Sequence, residues 1–279
     1  MSCIYKIKQS SSSFTATEKR IADYILNNRE QALEFTAQKL AEVTNTSAAA
    51  LIRFSKKLGY MGITAMKLDL AKDEDENDEL FNVLIDEKDS IELMVKKVQK
   101  ISERNIQQTY KLLNISNLNE AIDKVKQARN IYIIGIGGSG IVCMDFMQKL
   151  TRINRNVVYH EDFDVLLARL AHITKEDILI AISYSGETQM VNLAVDYAKE
   201  NNVSVIAITQ YNVKSTLSKK ADIKLYTPIE EKELRLGAIS SRNAALVLTD
   251  LIYYGLAKDN FDKTKLDLTK TRSLIHKLK

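Results

Sequence analysis

The sequence predicts two domains of different class: an all-α helix-turn-helix domain over residues 1–72, then an α/β doubly wound five-stranded parallel sheet over residues 90–279. Three observations carry this. The first quarter holds short amphipathic helical patterns, two of them joined by a three-residue turn. Beyond residue 130, short and near-continuously apolar runs alternate with helical stretches, as strands covered on both faces by helices require. Between the two, Asp73-Glu74-Asp75-Glu76-Asn77-Asp78-Glu79 places six acids in seven residues. Such a run repels itself and has nothing apolar to bury, so residues 73–89 read as an acidic linker or exposed hinge.

Composition narrows the function classes. The chain has 279 residues, 45% hydrophobic and 27% charged, enough for two cores. No apolar run approaches the ~18 residues of a membrane-spanning helix, and Met1 to Ser13 lack the apolar stretch of a secretory signal. A cytoplasmic protein with no membrane partner is expected. Two cysteines, Cys3 and Cys143, are too few for a disulfide framework, and His160, His172 and His276 lack metal-ligand spacing, so no metal and no cofactor are expected. Net charge is only +4, but residues 1–72 carry 11 Lys/Arg against 6 Asp/Glu. The positive charge sits in the first domain.

In that domain Thr15-Ala16-Thr17-Glu18 has the form of a capping box ahead of Ile21, Ala22, Tyr24 and Ile25, in a helix running to about Asn28. A second helix starts with Thr36 as its cap and carries Leu40, Ala41 and Val43 before the turn Thr44-Asn45-Thr46, where Asn45 is the left-handed residue. Ser47 caps a third, in which Leu51, Phe54 and Leu58 form the buried stripe and Gly59 ends the helix. At 100° per residue Ala49, Arg53 and Lys56 lie opposite that stripe, with Lys57 on the flank. A solvated surface helix has the same periodicity. The small, basic face, the tight turn and the local charge favour a helix that enters the DNA major groove, with Ser47, Ala48, Ala49, Arg53, Lys56 and Lys57 as the DNA-binding set.

After helices at about Ser90–Leu113 and Leu118–Gln127, strands are expected at Ile131–Ile134, Asn156–Tyr159, Asp177–Ile182, Val203–Thr209 and Ile223–Tyr226. Four of the nine glycines fall in Gly135-Ile136-Gly137-Gly138-Ser139-Gly140, between the first strand and a helix over Ile141–Thr151. That loop reads as a phosphate cradle, the alternative being a tight glycine turn that serves backbone packing alone. It also satisfies G-x-G-x-x-G, with Glu161 lying 21 residues past Gly140, so a dinucleotide site enters consideration. The third strand runs into Ser183-Tyr184-Ser185-Gly186-Glu187-Thr188 and then the helix Gln189–Glu200. Three hydroxyls at one helix N-terminus suit a compact anion, or serve merely as a well-capped turn. In a doubly wound sheet the first and third strands flank the switch-point crevice, placing Ser139 opposite Ser183, Ser185 and Thr188. One phosphate ringed by hydroxyls fits this better than a dinucleotide, which needs a longer crevice.

The stretches Glu18 to Ile25, Leu40-Ala41-Glu42 and Ser47 to Gly62, above all Arg53-Phe54 and Lys56-Lys57-Leu58-Gly59-Tyr60, resemble the amino-terminal domain of RpiR-family bacterial transcription regulators. The pair GIGGSG and SYSGET, with Arg152-Ile153, Asp222-Ile223 and Ser240-Ser241-Arg242, is similar to a sugar isomerase (SIS) domain over roughly residues 115–258. That resemblance implies a sugar phosphate held by Ser139, Ser183, Ser185 and Thr188, with Gly137, Tyr184 and Gly186 in the same loops. It also implies Glu231, Glu233 and Arg235, from the loop after Pro228, near the sugar.

A catalytic set is not expected. An aldose–ketose isomerase needs a base beside the carbon acid; Glu187 lies within the loop as a cap, His160 follows a strand, His172 ends a helix, and Cys143 sits inside a helix as a small hydrophobe. The expectation is a regulator of sugar metabolism, binding a pseudo-palindromic duplex DNA operator as a homodimer or higher homo-oligomer and responding to a sugar phosphate. The alternative is an SIS-type isomerase with an accessory helical domain.

Overall fold

The computed structural model describes residues 3–71, 86, 88–229 and 237–277. Contacts divide the chain into two units, Met1–Asp89 and Ser90–Lys279. The acidic run expected as a linker lies outside the described residues, as do Glu231, Glu233 and Arg235.

The first unit is all helix: α1 (Cys3–Ser10), a 3₁₀ turn (Ser11–Ser13), α2 (Ala16–Asn27), α3 (Arg29–Glu34), α4 (Ala37–Val43), α5 (Ala48–Lys57) and α6 (Ile63–Ala71). The expected caps form. Thr15 accepts from the Glu18 amide and Glu18 accepts from the Thr15 amide, while Thr36 and Ser47 cap α4 and α5. Asn45 (φ 49°) reverses the chain between them, and Gly59 (φ 86°) takes it out of α5. Ile7, Ile21, Ile25, Leu40, Leu51, Phe54, Met66 and Leu70 are fully buried in one core.

Sequence periodicity identifies α2, α4 and α5 but not α1, α3 or α6. α3 has only six residues, too few to show a repeat, and in α6 the apolar residues do not fall on one side. Tertiary contacts hold α6 instead. The Lys67 ammonium donates to the carbonyls of Leu33 and Phe35, Arg29 donates to the Leu70 carbonyl, and the Tyr60 hydroxyl donates to the Asp69 carboxylate.

The second unit opens with α7 (Ile91–Leu112) and α8 (Ile115–Gln127). Then follow β1 (Ile131–Ile134), α9 (Gly138–Arg152), β2 (Val157–Val158), α10 (Phe163–Leu170), β3 (Ile178–Ile182), α11 (Gln189–Glu200), β4 (Ser204–Gln210), α12 (Thr216–Lys220), β5 (Ile223–Thr227), α13 (Ile239–Asp259) and α14 (Phe261–His276). All strand pairs are parallel in the order β2-β1-β3-β4-β5, with Ile131 beside both Val157 and Ile178. The five expected strands are present. β2, at one edge of the sheet, keeps two of its expected four residues.

Alternation sorts the sheet into two cores. Ile131, Ile133, Ile178, Ile180, Ile206 and Ile208 pack with Val142, Phe146 and Leu150 of α9 and Ala245, Leu248 and Ile252 of α13. Tyr132, Ile134, Leu179, Ala181, Val205 and Ala207 pack on Leu166 and Leu170 of α10 and Val191, Ala194 and Val195 of α11. Helices on both faces explain why the strands read as unbroken apolar runs. At the amino ends of β1 and β3, the buried Asp177 carboxylate accepts from Arg129, from the Asn130 amides and from Thr174. That fixes the edge opposite the carboxyl ends, where ligands bind in this topology.

Candidate functional site

In the first unit the α4–turn–α5 pair presents one basic surface. Ala48, Ala49, Ile52, Arg53 and Lys56 are exposed, while Leu51, Phe54, Ser55 and Leu58 are buried beneath them. Arg53 and Lys56 have no acidic partner among the described residues, so both cations stand open. Lys57 differs. Its ammonium lies 2.5 Å from the Glu18 carboxylate and 2.9 Å from the Ser13 carbonyl, and 5.4 Å from the Phe14 ring centroid. Burial pushes the Glu18 carboxyl up, but Lys57 and Thr15 outweigh it and hold it below the usual range. Lys57 therefore ties α5 to the start of α2.

In the second unit, β1 and β3 lie side by side and their carboxyl ends open into one crevice. On the β1 side Gly137 (φ 59°) turns the chain into α9, whose N-terminus has no side-chain cap. On the β3 side Ser183 Oγ is 2.9 Å from Thr188 Oγ1 and accepts from the Gly186 amide at 3.2 Å. Gly186 has φ 71°, and a Cβ there would sit 2.6 Å from Ser215 Oγ. Only glycine lets this loop press onto the start of α12. Glu187 is drawn the same way: its carboxylate accepts from the Thr216 amide at 2.8 Å and hydroxyl at 2.6 Å, which lowers its pKa.

The crevice narrows to a cavity of about 90 Å³. Ser139, Tyr184, Ser185 and Thr188 line it, joined by Thr227 from β5 and by Ser241 and Arg242 from the first turn of α13. Three helix N-termini, those of α9, α11 and α13, meet at this cavity, and none has a side-chain cap. The other helices of the unit are all capped: α7 by Ser90, α8 by Asn114, α10 by Asp162, α12 by Ser215 and α14 by Asn260. Ala238, which precedes α13, adopts left-handed backbone and offers no capping oxygen. The Thr227 hydroxyl, buried against the cavity, finds no hydrogen-bond partner among the described residues. Arg242 has no carboxylate partner among them either. Among the described residues the lining carries a cation, hydroxyls and three helix N-termini but no carboxylate, a set that suits an anion.

Two family models match the chain. The helix-turn-helix domain of the rpiR family matches residues 1–77, and the SIS domain matches residues 124–254. An uncharacterized HTH-type transcriptional regulator of Thermotoga maritima is 34% identical over 280 residues, covering 98% of this chain and 100% of that one. YbbH of Bacillus subtilis, of the same description, is 32% identical over 268 residues, covering 94% and 93%. The chain belongs to the RpiR family of helix-turn-helix transcriptional regulators. Among solved structures, the Vibrio vulnificus NanR protein complexed with ManNAc-6P superposes with a TM-score of 0.63 at 26% identity, covering 99% of each chain. The sugar isomerase domain of an RpiR transcription factor from Sphaerobacter thermophilus gives 0.58 at 16% identity over 64% of this chain and 98% of that one, a likeness of fold.

In this RpiR-family regulator the two expected loops meet in one crevice, but their residues divide by position. Ser139, Tyr184, Ser185 and Thr188 face the cavity. Ser183 is buried behind Thr188, Gly186 makes the turn, and Gly137 lines a neighbouring cavity. Arg242, Ser241 and Thr227 are additions. The run Ser240-Ser241-Arg242 is visible in the sequence, but its 55-residue separation from Ser185 hides that the start of α13 returns to the same cavity. No helix among the described residues is long and apolar enough to cross a membrane.

Proposed function

We propose that this regulator binds duplex operator DNA through α5, with Arg53 and Lys56 as the polar readers and Ala48 and Ala49 allowing close approach, and that a sugar phosphate in the crevice alters that affinity. Ser47 contributes through the turn that presents α5, and Lys57 acts by bracing α5 against α2. The operator is a pseudo-palindrome read by two linked heads, since one such head reads only a half-site. The NanR complex with ManNAc-6P supports a phosphosugar as effector class.

The observation that carries the proposal is the convergence of three uncapped helices on Ser139, Ser185, Thr188 and Arg242. A phosphate there completes the caps of α9, α11 and α13 together, and each hydrogen bond to a charged group contributes about 1.5–3 kcal/mol. Glu187 spends its carboxylate on Thr216, and Cys143 is fully buried with its thiol pushed up by burial, so neither is placed to move a proton on a bound sugar. Calorimetric titration with inorganic phosphate and a set of sugar phosphates tests the site. Wild type binds them, and Arg242→Ala weakens all of them by about tenfold or more while Arg242→Lys restores part. Equal affinity in wild type and Arg242→Ala removes the phosphate assignment.

A further inference from the structure

Gly135, Gly137 and Gly140, the three glycines of the G-x-G-x-x-G pattern, and Glu161 line one cavity of about 260 Å³ beside the phosphate crevice. The phosphate crevice takes Gly138 and Ser139 from this loop but not Gly135, Gly140 or Glu161. The two cavities are neighbours: Ile136, 42% exposed, lines both, and the start of α11 gives Thr188 to one and Met190 to the other. The smaller cavity, about 90 Å³, is lined by the hydroxyls and the Arg242 cation that suit a phosphate group. A ligand anchored there by its phosphate can extend past Ile136 into the larger one.

The larger cavity has the chemistry for it. The Asp162 amide donates to His160 Nδ1 at 3.0 Å, which leaves the Nε2–H as an outward donor. The Glu161 carboxylate, next in the chain, has no partner among the described residues, and its two oxygens match the spacing of vicinal hydroxyls. The Tyr159 hydroxyl donates to the Gly140 carbonyl at 3.1 Å, holding the glycine loop against the end of β2 while keeping a lone pair for an incoming O–H. Met144 and Met190 supply an apolar wall for the C–H face of a sugar ring.

We infer that this second cavity takes the uncharged, polyhydroxylated body of the ligand whose phosphate lies in the first, with Glu161 accepting from a pair of hydroxyls and His160 donating to one. The inference rests on the phosphosugar reading above and adds a selectivity rule to it. A carboxylate in this place repels a second anion, so sugar monophosphates are accepted while sugar bisphosphates and carboxylated sugar phosphates are refused.

The test uses the full chain carrying ¹³C-methyl methionine, titrated with inorganic phosphate, glucose 6-phosphate, fructose 6-phosphate, ribose 5-phosphate and fructose 1,6-bisphosphate. The tightest monophosphate binds more strongly than inorganic phosphate and shifts the Met144 and Met190 methyl resonances, which inorganic phosphate leaves in place. Glu161→Gln lowers affinity for that monophosphate by about tenfold, narrows its advantage over the bisphosphate, and leaves inorganic phosphate unchanged. Unmoved methyl resonances, or full monophosphate affinity in Glu161→Gln, overturn the inference while sparing the phosphate site. Loss of inorganic phosphate binding in Ser185→Ala, with Glu161→Gln retaining it, separates the two cavities; failure of every phosphate to bind wild type overturns both readings.

Discussion

The hydroxyls of Ser183 and Thr188 lie 2.9 Å apart, so the first residue of the Ser-x-Ser-Gly-x-Thr loop holds the last in place. Ser183 is 3% exposed and also receives the Gly186 amide. Thr188 alone of the pair faces the cavity. Thr188→Val is therefore expected to lower sugar phosphate affinity by about 10- to 100-fold, the equivalent of one hydrogen bond to a charged group. Ser183→Ala should cost less affinity and more stability, since it unties a buried loop. Calorimetry and thermal unfolding of both variants check this order; a larger affinity loss in Ser183→Ala contradicts it.

On the first unit, Arg53→Ala is expected to weaken operator binding by about 1–3 kcal/mol, and Lys56→Ala to reduce the salt slope by about one. Both variants keep their fold, since these side chains are exposed. Lys57→Ala should instead lower the unfolding temperature of this unit, through loss of the Glu18 pair and the Ser13 contact. That pair is partly solvated, so the cost is about 1 kcal/mol or less. Fluorescence anisotropy against salt, with calorimetric unfolding, distinguishes the three.

Most of the framework is legible in the sequence because local chemistry sets it. Thr15, Thr36 and Ser47 announce helix starts, Asn45 and Gly59 announce turns, and isoleucine-rich runs announce strands covered on both sides. Other features depend on neighbours distant in the chain. α6 is held by Lys67 and Tyr60 rather than by its own pattern, and Lys57 looks like any basic surface residue until Glu18 is found beside it. Arg242 joins the site only because α13 folds back over β4 and β5. The same holds for the uncapped helices: Gly137 and Ala238 are unremarkable singly, and their meaning appears where their helices converge.

Asp177 supplies a pH-dependent stability. Burial pushes its carboxyl up, but hydrogen bonds from Arg129, Thr174 and Asn130 outweigh burial, and the net shift is downward. A carboxyl whose folded pKa is depressed stabilises the fold above its unfolded pKa, near 3.9, and that contribution is lost as pH falls through the folded value. Asp177→Asn should destabilise the second unit by about 3 kcal/mol at pH 7, with the gap to wild type closing below pH ~4. Urea unfolding across pH 3–7 measures it; a gap that stays constant contradicts the assignment.

Self-association is expected to use α7, which exposes Ile91, Val95, Val98, Ile106 and Tyr110 while burying Asn105, Gln108 and Thr109. The five apolar side chains fall within about 120° of the helix circumference. An antiparallel second copy about a two-fold axis near the helix centre sets Ile91 against Tyr110 and Val95 against Ile106, with Glu92 near Lys111, so the surface complements itself. Val95→Glu combined with Ile106→Glu should convert a dimer to a monomer in analytical ultracentrifugation. An unchanged mass places the interface elsewhere.

Phosphate capture in the second unit is expected to change DNA binding by the first. This is tested most directly by titrating an operator duplex, selected by footprinting, with wild type and Ser185→Ala in the presence and absence of the tightest-binding sugar phosphate. Wild type should shift its operator affinity by about tenfold, within the ~1–3 kcal/mol of ordinary allosteric coupling, while Ser185→Ala binds the operator with wild-type affinity and does not respond. An undiminished response in Ser185→Ala, or no response in ligand-saturated wild type, contradicts the account.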